Sequence, residues 1–396
     1  MAKDKQFISE RGRAKYFHGR VEQLDLLKSL LNETVQREEG SSLLFQGPPG
    51  VGKTALIEKC CEIARKKDWR VIELDNQCLH DPKDFFRRIT QKKSLQDLKK
   101  EYGVDLSIIK FGMTPEKTEE TNYLNESIVR AKSTLLYLDE AQTLGQIKTQ
   151  EKRESIINFL RTYHNFQSSK GFILLFGGLS RTRETLESFG ISRFSSTSAH
   201  YLEALDKEIE YKILKDWLTQ EFQTPSNPEK WIDAITQRTE GWPRHLQSYV
   251  NAANEYLDIG TSLKDHTLRK VLDFGDHLKI LYYKDRCKGI PNKEKYLINM
   301  AIQSLPPHFE GEDFVSLLCE NVPEEKADFL YERSLSKGII HLDDNDVCSI
   351  PIPSLRTYLK THHNSPRLSP ENYEAPSRDI EKEPIQDKYI SPKTLN

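Results

Sequence analysis

Residues 42–54 read Ser42-Leu43-Leu44-Phe45-Gln46-Gly47-Pro48-Pro49-Gly50-Val51-Gly52-Lys53-Thr54. A short apolar run leads into G-x-x-x-x-G-K-[ST], and a helical pattern follows to about Lys66. Strand, glycine-rich loop and helix, in that order, form the setting in which this pattern cradles a polyphosphate. Gly47, Gly50 and Gly52 let the backbone turn tightly and aim its N–H groups at an anion, with Pro48, Pro49 and Val51 completing the loop. Lys53 supplies a point charge to the outer phosphates, and the Thr54 hydroxyl is a ligand for Mg²⁺. The positive end of the following helix faces the same anion. The segment therefore reads as a nucleoside triphosphate site on one strand of an α/β sheet.

Bulk properties narrow the class. The chain has 396 residues, enough for two or three domains, and a formal net charge of −2 that by itself points to no nucleic-acid partner. Its six cysteines form no C-x-x-C pair, which argues against a zinc cluster or a disulfide framework and suits a reducing, cytoplasmic setting. Met1-Ala2-Lys3-Asp4-Lys5 opens no apolar stretch of the secretory type. No apolar run approaches the roughly 20 residues needed to span a bilayer, so no membrane partner is expected.

Working outward from the loop, Tyr16 to Arg20 leads into a helix carrying Val21, Leu24, Leu27 and Leu31. Arg70–Leu74, Ser133–Leu138 and Phe172–Phe176 read as further strands, and residues 151–165 as a helix with Ile156, Ile157 and Leu160 on one face. A helix opening at Asp81-Pro82 is expected to bury Phe85, Phe86 and Ile89. Strands alternating with helices imply a mostly parallel sheet covered on both faces. Three helical patterns then follow without a strand, at about 206–222, 228–239 and 243–257. Helices at 294–304, 311–320 and 324–336 precede a hairpin whose arms are Gly338–Leu342 and Val347–Pro351. The expected fold class is α/β: a P-loop NTPase parallel sheet with helices on both faces, followed by an all-α lid and a winged-helix-like C-terminal module. The expected divisions are a flexible arm at 1–15, the nucleotide domain at 16–204, the lid at 205–260, the winged-helix-like module at 261–362 and a disordered tail at 363–396. Residues 92–130 look like an insertion.

Two carboxylates follow the strand Leu135–Leu138. Asp139 is placed to hold Mg²⁺ through its water shell, and Glu140 to polarise the water that attacks a γ-phosphate. Phosphate loop, Asp-Glu, a following strand, an Arg after Ser, and a helical domain with Gly-x-x-Arg together resemble the AAA+ ATPases over about residues 16–257. That resemblance implies ATP as the nucleotide. It implies that Phe17-His18-Gly19-Arg20 lies near the adenine, with Phe17 and Arg20 as contacts. It implies that Arg193, in Gly190-Ile191-Ser192-Arg193-Phe194, is an arginine finger reaching a neighbour's nucleotide, so that the active form is a homo-oligomer. It also implies that Arg244, in Gly241-Trp242-Pro243-Arg244, is the lid's sensor residue. The pattern departs from the family at the end of the fourth strand. Gly177-Gly178 stands where a polar residue is usual, leaving Ser180 to act from an offset position.

The Ser-Arg box, the Gly-x-Pro-Arg lid and the trailing module look like the initiator side of the AAA+ class, which includes origin-recognition ATPases and has transposition regulators among its relatives. The resemblance implies an ATPase acting as an assembly or loading factor on duplex DNA or a nucleoprotein partner, in replication initiation, a mobile element or anti-phage defence. Residues 294–360 hold twelve Asp or Glu and six Lys or Arg. An acidic module is ill suited to DNA phosphates and better suited to a protein partner or to packing on the lid. The basic residues Lys264 to Lys293, Arg286 among them, read as a solvated face. Two alternatives remain open at this point: a STAND-like signalling switch held closed by nucleotide, and a nucleotide-dependent scaffold with little turnover.

Overall fold

The computed structural model describes residues 14–36, 40–75, 78–79, 84–85, 88–89, 133–165, 171–192, 194, 198–221, 227–256, 265–343 and 345–363. The readings made for most of the N-terminal arm, for 92–130, for the tail from 364, for the helix start at Asp81-Pro82 and for Arg193 lie outside these residues.

Five strands form one parallel sheet: β1 (Ser41–Gln46), β2 (Arg70–Leu74), β3 (Thr134–Leu138), β4 (Phe172–Gly178) and β5 (Ala199–Tyr201), in the order β2-β3-β4-β1-β5. Every residue of β3 and β4 is buried, which is why these strands read as unbroken apolar runs and not as alternating ones. Leu27 and Leu31 of α1 (Val21–Gln36) and Leu56 and Ile57 of α2 (Lys53–Lys66) cover one face. Ile156 and Leu160 of α3 (Gln150–Asn165), with Phe85 and Ile89, cover the other.

β1 lies between β4 and β5, and ends with Gln46 opposite Gly178 on one side and Tyr201 on the other. Ligands of open parallel sheets gather at such carboxyl edges. Here the edge is knitted together. Gly47 N donates to Gly178 O (3.2 Å), Leu202 N to Gln46 O (2.8 Å), and Gln46 Nε2 to Ser180 O (2.6 Å). The fourth strand thus runs two residues further than Phe176, through both glycines, before α4 (Thr182–Ser188) begins.

The three helices expected after the sheet are present as α5 (Lys207–Glu221), α6 (Pro228–Thr239) and α7 (Pro243–Tyr256). They enclose Trp217, Trp231, Leu246 and Tyr249 in a core distinct from those on the two faces of the sheet. Asn227 caps α6 by accepting from Lys230 N (3.1 Å), with Pro228 in the first turn. A helix that the sequence reading left unassigned follows: α8 (Asp265–Arg286), 22 residues long and packed against α7. Its apolar positions are diluted by charges on every turn, so its periodicity is weak.

Next come α9 (Asn292–Ser304), β6 (His308–Glu310), α10 (Gly311–Cys319), α11 (Glu324–Ser336), β7 (His341–Leu342), β8 (Val347–Ser349) and α12 (Leu355–His362). β6, β8 and β7 make a three-stranded antiparallel sheet, so the expected hairpin gains a third strand from the α9–α10 connection. One apolar cluster runs without a break from Leu43 and Val51, through Trp242 and Tyr282, to Phe314 and Ile340. The C-terminal helices and strands therefore share a core with the sheet and the phosphate loop. Among the described residues no helix is long and apolar enough to cross a membrane, no group of His, Cys, Asp or Glu could hold a metal by itself, and all six cysteines are free.

Candidate functional site

The phosphate loop lies at the carboxyl end of β1 and bounds a cleft of about 360 Å³. Pro49, Gly50, Val51, Gly52, Lys53 and Thr54 line it. Glu140, Arg244, Phe17 and Arg20 line it too, so residues far apart in the sequence, from Phe17 to Arg244, face one space. Gly47 and Pro48 sit behind Lys53, whose Nζ donates to both of their carbonyls (2.8 and 3.0 Å). Lys53 is only 5% exposed. Burial lowers its proton affinity, the charges of Glu140 and Asp139 oppose that, and the charge of Arg286 adds to it.

Thr54 Oγ1 donates to Asp139 Oδ2 at 2.6 Å, joining the helix start to the end of β3. The second Asp139 oxygen accepts from Glu140 N at 2.9 Å, and Glu140 takes a left-handed backbone with φ 54°. That turn sends the Glu140 carboxylate into the cleft, where Gln142 Nε2 donates to its Oε2. Gln142 carries no motif signature, yet its Oε1 also accepts from Leu179 N (3.3 Å) and Thr182 Oγ1 (3.1 Å). It ties the acidic turn to the end of β4.

This packing explains the two glycines. A Cβ on Gly177 would lie 2.7 Å from Asp139 Oδ1, and one on Gly178 would lie 2.5 Å from Gln142 Oε1 and 2.0 Å from Thr182 Oγ1. The space in which a side chain from the end of β4 would stand is filled by Asp139, Gln142 and Thr182. Ser180 does not replace it. Its hydroxyl meets His341 Nδ1 at 2.5 Å and accepts from Leu342 N at 3.3 Å, so it faces the C-terminal module and does not line the cleft. The expectation that Ser180 positions water from an offset place is corrected on this point. His341 is buried, with its ring 4.6 Å from that of Tyr201 and tilted 37° to it. Burial first, and then the Lys53 charge, bring its pKa down to about 4, so it is neutral near pH 7.

The lid reaches the loop through backbone as well as side chain. Glu240 and Gly241 both adopt positive φ, ending α6 and turning the chain towards Pro243. A Cβ on Gly241 would lie 2.2 Å from Leu205 O, so only glycine fits where this turn crosses the strand leaving the sheet. The turn delivers Arg244 N to Gly50 O at 3.1 Å. Gly50 itself has φ 82°, and a Cβ there would lie 2.8 Å from both Arg244 Cβ and Tyr282 Oη. Tyr282 Oη donates to Pro49 O at 2.8 Å across 233 positions of sequence.

At the other end of the cleft, Arg20 donates to Val51 O (3.2 Å) and Glu203 O (2.6 Å), and His18 pairs with Asp216 of α5 at 2.7 Å. Leu205, Ile213 and Leu246 give this end an apolar wall, suited to a flat heterocycle. Tyr282, Asp285 and Arg286 of α8 also line the cleft. Sequence reasoning missed all three, because they sit in a helix with weak periodicity and belong to no motif.

Residues 36–186 match the family model described as an AAA domain. The fold of nearly the whole chain is similar to that of the Aeropyrum pernix ORC2 protein in its ADP form, with 14% identity, a TM-score of 0.57, and coverage of 92% of this chain and 99% of that one. It is similar also to the Walker-type ATPase PABY2304 of Pyrococcus abyssi, with 14% identity, a TM-score of 0.56, and coverage of 88% and 97%. No curated relative matches the chain by sequence. Residues 36–186 thus carry a nucleotide-binding AAA-type ATPase domain, and the parallel sheet with the helical region behind it has the architecture seen in the Aeropyrum pernix ORC2 protein.

Proposed function

We propose that this protein is an ATP-driven switch of the AAA+ type, in which ATP and Mg²⁺ hold the lid and a winged-helix-like C-terminal module against the phosphate loop, and hydrolysis loosens them for assembly on a DNA or nucleoprotein partner. Lys53 and the loop N–H groups take the phosphates. Thr54 and Asp139, hard oxygen donors 2.6 Å apart at the mouth of the loop, suit a Mg²⁺ ion. Glu140 acts on the attacking water, and Arg244 reads the nucleotide from the lid. Arg193 acts between copies, so the working form is a homo-oligomer.

The observation that carries this reading is the crowding at Pro49 and Gly50. The lid donates a backbone N–H to Gly50, α8 donates a hydroxyl to Pro49, and a Cβ on Gly338 of the C-terminal module would lie 2.3 Å from Pro49 Cγ. Two neighbouring loop residues touch three parts of the chain, so a ligand that orders the loop bears on all three. The ion pair Arg181–Glu332 (2.5 Å) adds a second joint between the sheet side and α11. This packing within one chain also favours the STAND-like reading, in which nucleotide holds the molecule closed. The capture of the Glu140 carboxylate by Gln142 points the same way.

ATP hydrolysis measured with and without duplex DNA separates the two. The assembly reading expects a several-fold rise in rate with DNA that fades as salt increases. A rate indifferent to DNA at low salt removes DNA from the function and leaves the closed switch.

A further inference from the structure

We propose that Arg286 is a further cation of the phosphate site, carried to it by α8 from the C-terminal side of the lid. The inference rests on the reading of the cleft as an ATP site. Arg286 lines that cleft, as do Gly50 and Lys53. Its guanidinium lies 5.6 Å from the centre of the Tyr282 ring, and that of Arg244 lies 5.7 Å from the same ring. Tyr282 is fixed in turn by its hydrogen bond to Pro49 O. One aromatic ring, bonded to the phosphate loop, therefore carries two guanidinium groups from two different helices.

The ordinary role of an Arg in the last turn of a helix is to complement the helix dipole from solvent. Arg286 is not disposed that way. Its side chain is 29% exposed, and among the described residues its Nη2 pairs with the neighbouring Asp285 Oδ2 at 3.2 Å, whose own side chain is 60% exposed. Its Nε is buried and has no hydrogen-bond partner among the described residues. A buried, unpartnered guanidinium donor is unfavourable unless an acceptor completes it. Lys53 lies near enough for the Arg286 charge to lower its proton affinity. Two cations held together at low exposure call for a polyanion between them, and a guanidinium suits phosphate oxygens because its donors form a planar fork. Nucleotide bound here would tether α8 directly to the loop, and with α8 the C-terminal helices that follow it.

The test uses the full chain with Arg286→Gln and Arg286→Lys, and titrates a non-hydrolysable ATP analogue with Mg²⁺ by calorimetry. Melting curves are recorded with and without the analogue. The expected result for Arg286→Gln is a roughly 10- to 100-fold loss of affinity, the loss typical of a charge-assisted contact. The melting temperature without nucleotide stays close to that of the parent, while the rise on adding the analogue shrinks. Arg286→Lys recovers part of the affinity. An Arg286→Gln affinity within twofold of the parent overturns the proposal. So does a fall in melting temperature that is the same with and without nucleotide, which would mark Arg286 as packing for Tyr282 only. If the unsubstituted chain fails to bind the analogue, the ATP reading itself fails and this inference falls with it.

Discussion

Glu140→Gln retains nucleotide binding and lowers ATP turnover by about 10²- to 10³-fold, the range expected when a positioned base is removed. Glu140 is exposed and adds nothing to the core, so the substitution leaves the fold intact. Its φ of 54° is set by the turn and not by the carboxylate, and Gln142 can still donate to the new amide oxygen. What is lost is the negative charge next to the water. The measurement is single-turnover hydrolysis alongside retention of radiolabelled ATP. A variant that hydrolyses at the parental rate would move the base elsewhere in the cleft.

Lys53→Ala has the second large effect, a loss of ATP affinity of about 100-fold or more, since a buried ammonium facing phosphate contributes more than a neutral donor. The same amine holds the loop by donating to Gly47 O and Pro48 O, so the loop also loses its internal brace. Equilibrium titration with a fluorescent ATP analogue reads this directly. Normal affinity in Lys53→Ala would sink the assignment of residues 47–54 as the phosphate loop.

The sheet was legible because its physics is local. A strand buried on both faces must be apolar throughout, and Leu135–Leu138 and Phe172–Phe176 are. The lid helices were legible from their caps and periodicity, to within a residue or two. The contribution of α8 was not. Tyr282 meets the phosphate loop through a contact 233 positions away, and no spacing rule connects a tyrosine in a charged helix to a loop proline. Gln142 was hidden for a similar reason: its role comes from meeting Leu179 and Thr182 in space. The Gly177-Gly178 departure was seen in the sequence, but its cause was not. It lies in side chains from β3's end and α4 that occupy the room a larger residue would need. Arg286 was read as part of a solvated face, and the structure turns it inward instead.

The acidic composition of residues 294–360 also takes on a physical setting. Glu332 answers Arg181 at 2.5 Å, and Glu294 meets both Lys326 (2.6 Å) and Arg333 (2.8 Å). The Glu294 pairs join α9 to α11 within the module, and only Arg181–Glu332 crosses to the sheet side; a part-exposed pair of that kind is worth about 0–1 kcal/mol, so it guides docking more than it secures it. The apolar continuity through Trp242, Tyr282 and Ile340 supplies the larger share. A joint of this kind can open when the loop beneath it changes.

The most direct test of nucleotide-controlled docking is a distance distribution between the sheet side and the C-terminal module. Cys319, exposed on α10, carries one spin label, and Glu154→Cys on α3 provides the other. Pulsed dipolar spectroscopy is then recorded without nucleotide, and with ATP and Mg²⁺ in the Glu140→Gln background. A single narrow distance with ATP that broadens or lengthens when nucleotide is removed is the predicted result. The same narrow distance in both conditions would mean that the C-terminal module is a fixed part of the fold, and would contradict the switch.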